Sequence, residues 1–212
     1  MTWIVFSFIF LIGVALLCYL FVFRGWMLTW GTTAAERRQI LPGDAFLPGA
    51  RSVVTRGITI DAPPERVWPW LAQIGQNKGG FYSYAWLENL FGCEIVNAQA
   101  IHPEWQRIER GDQVRLYPKM GMPVMIVDQN HALVLGANGI PEQHIPPTTW
   151  AFILEPAIGH GTRFLVRWRS ATPKSLYDLL FNKYLLEPIH FTMERKMMLG
   201  LRQRAEACCG EN

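Results

Sequence analysis

The sequence predicts an α+β chain: a curved antiparallel sheet closed by a long C-terminal helix and preceded by one N-terminal transmembrane helix. Three observations carry that expectation. A charge-free apolar run opens the chain. Short segments of period-two alternation, joined by short turns, follow from Gly111 to Arg169. A helical pattern from Ser175 to Ala205 then closes the chain.

The opening run, Trp3 to Phe23, carries no charged residue over 21 positions. At about 1.5 Å rise per residue it matches the roughly 30 Å of a bilayer core. No basic side chain precedes it and the run is too long for a signal-peptide h-region, so an uncleaved anchor is expected. Arg24, Arg37 and Arg38 follow it, which predicts a single-pass membrane protein with its C-terminal domain in the cytoplasm. The expected organisation is an anchor over 1–24, a juxtamembrane linker over 25–50, a folded domain over 51–207 and a tail over 208–212. Cysteines fit neither a disulfide framework nor zinc spacing: Cys18 lies in the span, Cys93 stands alone, and Cys208 and Cys209 are adjacent. A formal net charge of +3, dispersed along the chain, gives no footprint for nucleic acid.

Within the domain, Arg56, Ile58 and Ile60 alternate with Thr55, Gly57 and Thr59, which predicts a half-buried strand. Asp61 offers an N-cap, and Pro63 and Pro64 suit the first turn of a helix. Val67, Trp70, Leu71 and Ile74 share one face of that helix, with Pro69 inside it and Gly75 at its end. A second short helix around Ser83 to Phe91 is expected to bury Leu87, Leu90 and Phe91. Strands are then expected at Val114–Tyr117, Val124–Val127, Ala132–Leu135, Trp150–Leu154 and Phe164–Trp168, joined as antiparallel hairpins. Pro188 is expected to break the last helix, after which Ile189, Met193, Met197 and Leu201 recur every fourth residue. A curved sheet can bury its concave face against that helix and leave a cavity between them.

The stretch APPERVWPWL after the first strand, QIGQNKGGFYSYAWLENLFG behind it and EPIHFTMERKMMLGLRQRAE in the last helix carry a resemblance. Over roughly Arg51 to Glu206 the chain resembles the helix-grip superfamily of START-related lipid-transfer proteins and polyketide cyclases, in a membrane-anchored bacterial branch. The resemblance implies the helix-grip fold and the binding of an apolar or amphipathic small molecule. It brings no defined reaction with it.

The residues themselves supply little catalytic apparatus. The sequence has no HExxH, Walker, GxSxG or paired CxxC motif, and no cofactor or metal is expected. Of the histidines, only His190 stands four residues from a carboxylate, Glu194, on the last helix. That pair could serve as a base with its orienter, but a helix-surface pair or a satisfied core histidine is the favoured reading.

Aromatic density points to ligand contact instead. Trp70, Tyr82, Tyr84 and Trp86 offer apolar walls with polar handles, and Glu88 or Asn89 offers a polar anchor. Trp150, Phe152, Phe164 and Trp168 on the inward strand phase, with Met193 and Met197 on the helix, complete the expected lining. Arg163, Arg167 and Arg169 occupy the opposite phase and are expected on a solvated outer face, with an anionic head group as the competing partner. Leu176 to Leu186 is apolar around most of its circumference, which fits core or a lid lying on the bilayer.

The leading functional expectation is a membrane-tethered module holding a membrane lipid, isoprenoid or polyketide-like molecule, anchored in the bilayer through Trp3–Phe23. A non-catalytic accessory subunit bound to integral membrane proteins is the first alternative. A cyclase- or dehydratase-like enzyme is the second.

Overall fold

Six strands form one antiparallel sheet in the order β1-β6-β5-β4-β3-β2. They are β1 (Ser52–Ile60), β2 (Gln113–Tyr117), β3 (Met120–Asp128), β4 (Ala132–Ala137), β5 (Thr148–Pro156) and β6 (Thr162–Ser170). The computed structural model describes residues 2–90, 92–118, 120–137, 147–171 and 175–207; Phe91, His144 and the tail 208–212 lie outside them. Each strand expected from the alternation is present. Register shifts within β2 and β3 mark bulges, which bend a sheet and increase its twist.

Pairing places the inward residues in rows across the sheet. Arg56 faces Val166, which faces Phe152; Val54 faces Trp168, which faces Trp150. Against this face pack α4 (Pro64–Ala72) and α7 (Glu187–Ala207). Pro63 caps α4 in an extended conformation and Pro64 opens its first turn, where a missing N–H costs least. Val67, Trp70 and Leu71 of α4 and Met197, Met198 and Leu201 of α7 close the main core with Phe152, Phe164 and Val166. At Gly200 the helix meets the loop backbone so closely that a Cβ would lie 2.3 Å from the Tyr82 carbonyl oxygen.

The outer face of the sheet is covered, which corrects the expectation of a solvated surface. Ala132, Val134, Ala151, Ile153 and Leu165 form a second core with Leu41. Residues 31–48, expected to serve as a linker, cross this face as a strap. A capping box starts α3 (Ala34–Arg38): the Thr33 hydroxyl accepts from the Glu36 N–H while the Glu36 carboxylate accepts from the Thr33 N–H. The arginines of β6 hold the strap down. Arg163 donates to both carboxylate oxygens of Glu36, at 2.6 and 3.1 Å, and pulls that carboxyl down to about 2. Arg167 is buried, with its Nη1 2.7 Å from Asp44 Oδ2 and further bonds to the carbonyls of Glu36, Arg37 and Gln39. Arg169 reaches the Leu47 carbonyl. The strap enters through Gly31, at φ 72°, where a Cβ would strike the Gly57 carbonyl.

The N-terminal run differs from the single helix expected. Helix α1 (Thr2–Cys18) gives way to a wider π-helical turn over Tyr19–Phe23, and α2 (Arg24–Leu28) follows. No helix among the described residues is long and apolar enough to cross a membrane.

The C-terminal helix is not broken at Pro188. Helix α6 (Leu176–Phe181) passes into a π-helical turn over Asn182–Leu186 and then into α7. The Glu187 N–H bonds back to Asn182 across that wider turn, so Pro188 falls at the start of α7 and the helical path continues. No residue of α6 or this turn is buried, so the stretch is not core. Helix α5 (Ala85–Leu90) also buries no side chain; Leu90 is exposed, contrary to expectation. This short helix is held instead by Asn89, whose side chain bonds both backbone groups of Ile95.

Candidate functional site

Two adjoining cavities lie between the sheet and the C-terminal helix. The inner one, about 200 Å³, is walled by Trp150 and Trp168 from the sheet, Met193 and Met197 from α7, and Phe81 and Ile95 from the segment around α5. The outer one, about 570 Å³, opens between the base of the N-terminal helices, the start of β1, the end of β6 and the turn 182–186. Trp168, His190 and Met193 line both, so these side chains form the partition between them.

Behind the partition sits a buried polar cluster. Arg56 points inward from β1 and donates through Nη1 to Glu194 Oε2 on α7, with each side chain 1 % exposed. Its Nε donates to the Met27 carbonyl at 2.8 Å, and its guanidinium stacks over Phe191. The other Glu194 oxygen accepts from Trp150 Nε1 at 3.0 Å. Both carboxylate oxygens and the guanidinium are thus engaged, as burial of a charge demands.

His190 borders this cluster. Arg56 Nη1 lies 3.3 Å from its Nδ1. A guanidinium only donates, so Nδ1 accepts and the ring proton sits on Nε2. Burial lowers the His190 pKa, favouring the neutral ring. Among the described residues Nε2 has no hydrogen-bond partner, and it is shielded from solvent; Glu194 Oε1, at 3.7 Å, is beyond hydrogen-bond reach. Glu194 therefore does not orient His190 as a catalytic base would require. The ring as a whole is 31 % exposed, because its edge reaches the cavities.

Glu88 supplies a second polar group to the inner cavity. Its Oε2 is buried without a partner among the described residues, and burial pushes its pKa up to about 7. A protonated Glu88 and the neutral His190 are both hydrogen-bond donors set in an apolar wall.

The residues expected to touch a ligand separate into groups. Glu88, Trp150, Trp168, Met193 and Met197 come together at the inner cavity. Trp70 and Tyr82 line a separate cavity of about 500 Å³; the Tyr82 hydroxyl bonds the Trp70 carbonyl and receives Gln73 Nε2, which gives it a packing role. Phe152 and Phe164 are fully buried in the core. Tyr84 packs edge-on to Trp86, which is 69 % exposed, and Asn89 is committed to Ile95. Sequence reasoning missed Arg56, Arg24, Arg51 and Lys183. The available signal for Arg56 was its place on the inward phase of β1, in step with Ile58 and Ile60. Among the described residues, no cluster of His, Cys, Asp and Glu could hold a metal ion.

No family model matches the chain, and no curated protein does. Solved structures with a similar course of chain include protein MLL2253 from Mesorhizobium loti, at 15 % identity and TM-score 0.44, covering 74 % of this chain and 98 % of that one. Protein TTHA0849 from Thermus thermophilus matches at 15 % identity and TM-score 0.42, covering 74 % and 99 %. Protein NE0264 from Nitrosomonas europaea matches at 14 % identity and TM-score 0.45, covering 73 % and 94 %.

Proposed function

We propose that this chain is a membrane-tethered binding module of the helix-grip kind, holding an apolar or amphipathic small molecule between its sheet and its C-terminal helix. The observation that carries the reading is the inner cavity: apolar walls of Trp, Phe and Met, lined also by Glu88 and His190, each of which keeps one buried polar atom without a partner among the described residues. Buried polar atoms left without partners are costly, and a ligand oxygen accepting from either would relieve part of that cost. Together the cavities suit an amphiphile of lipid, isoprenoid or polyketide type.

Tethering is supported by the exposed apolar side chains of the N-terminal run, among them Trp3, Phe6, Phe10 and Phe21. A second apolar surface on α6 and the turn after it, including Leu180, Phe181 and Leu185, is joined to this run. Tyr19 donates to the Lys183 carbonyl at 2.5 Å, and Arg24 binds Glu187 in a bidentate pair at 2.7 and 2.9 Å. The two surfaces are thereby held side by side, with the outer cavity at their foot. The same exposed surface favours a second reading, an accessory subunit docked on an integral membrane protein.

Native mass spectrometry of the full chain, extracted from membranes in mild detergent, tests the binding reading. A stoichiometric adduct of small-molecule mass supports it. An empty chain recovered with integral membrane proteins supports the accessory-subunit reading instead.

A further inference from the structure

The outer cavity carries more positive charge than its own acids compensate. Arg24, Arg51, Arg56 and Lys183 line it, against the single carboxylate of Glu187. Arg24 is paired with Glu187, and Arg56 with Glu194 behind the wall. Arg51 and Lys183 form no ion pair among the described residues; Lys183 Nζ instead lies 5.5 Å from the centre of the Tyr184 ring. Arg51 and Lys183 thus line a cavity whose remaining wall includes Leu179, Leu186 and Ile189.

We propose that the outer cavity binds the anionic head group of an amphiphile, a phosphate or carboxylate, through Arg51 and Lys183, while its chain passes the Trp168–His190–Met193 partition towards the inner cavity. The inference rests on the binding reading above and specifies its ligand class. Charge favours it, because two unpaired cations beside an apolar wall match a head-and-tail ligand and oppose a cationic one. Position favours it as well. Lys183 belongs to the turn that Tyr19 fixes against the apolar N-terminal run, so the cations sit where that run meets the folded domain.

The test uses the full chain in non-ionic detergent, with oleate, oleoyl lysophosphatidate, mono-oleoylglycerol and inorganic phosphate as probes, read by native mass spectrometry. Oleate and lysophosphatidate are expected to bind about tenfold more tightly than the neutral glyceride, the effect of two partly solvated charge contacts. Arg51→Gln/Lys183→Gln should abolish that preference and leave glyceride binding unchanged. Lys78→Gln/Arg110→Gln, which removes the same charge from residues lining neither cavity, should preserve it. Equal binding of neutral and anionic probes, or a preference that survives in the Arg51/Lys183 variant, overturns the head-group assignment while leaving the cavity reading standing. Phosphate binding as tightly as lysophosphatidate overturns it in favour of a free-anion site. Failure of every amphiphile, the glyceride included, overturns both readings.

Discussion

Arg56 and Glu194 join the first strand to the last helix through an ion pair in which each side chain is 1 % exposed. The pair also fixes its surroundings: Arg56 sets the His190 tautomer and Glu194 accepts the Trp150 indole. Removing one member leaves the other charged, buried and unmatched. Glu194→Met or Arg56→Met alone should therefore cost about 3–5 kcal/mol. The double variant should be less destabilised than either single, because no charge is left stranded. Urea denaturation of the four forms measures this, and additive single effects would refute the coupling.

A different contact between helix and loop rests on the absence of a side chain. A Cβ at Gly200 would approach the Tyr82 carbonyl oxygen to 2.3 Å and the Tyr82 Cβ to 3.0 Å. Tyr82 itself sits at φ 55° and is nearly fully buried, so it has little room to yield. Gly200→Ala gains helix propensity yet should lose about 1–3 kcal/mol overall through the forced separation. A melting temperature at or above that of the parent would show that the loop moves freely.

These two contacts mark the limit of what the sequence displays. The six strands were legible because Ile58, Phe152, Phe164 and their neighbours repeat with period two. Trp150, Trp168, Met193 and Met197 were legible as cavity lining from the same phase and from the fourfold helical spacing. Arg56 was not, since a charge on an inward phase finds its justification only in Glu194, 138 positions away. The outer arginines were assigned the correct face but the wrong surroundings. Their partners are carbonyls and two carboxylates of the strap, and backbone acceptors leave no mark in composition. Tyr84, Trp86 and Asn89 looked like a ligand wall because aromatic density does not reveal that a six-residue helix lies at the periphery.

Arg167 is the residue on which the strap should depend most. Its loss would leave Asp44 and the carbonyls of Glu36, Arg37 and Gln39 without their shared donor beside the second core. Arg167→Ala should cost about 3 kcal/mol and expose Leu41. Hydrogen exchange should then rise first over residues 36–44, with the inner-face strands following only at global unfolding. Uniform acceleration through the whole sheet would mean that strap and sheet unfold as one unit.

Glu88 gives the inner cavity a pH signature. Burial raises its carboxyl from 4.5 to about 7, so between these values the folded chain holds a proton that the unfolded chain has released. Stability from this group is fully present below pH 4.5 and declines as pH rises through about 7. Partial solvation limits the decline to about 1–2 kcal/mol. Glu88→Gln keeps a neutral, hydrogen-bonding side chain at every pH and should remove this component, leaving a flatter stability profile across that window. Thermal melts of both forms at matched ionic strength would decide it. Parallel profiles would mean that Glu88 is solvated when ionised, and the inner cavity would then lose one of its two proposed donors near neutral pH.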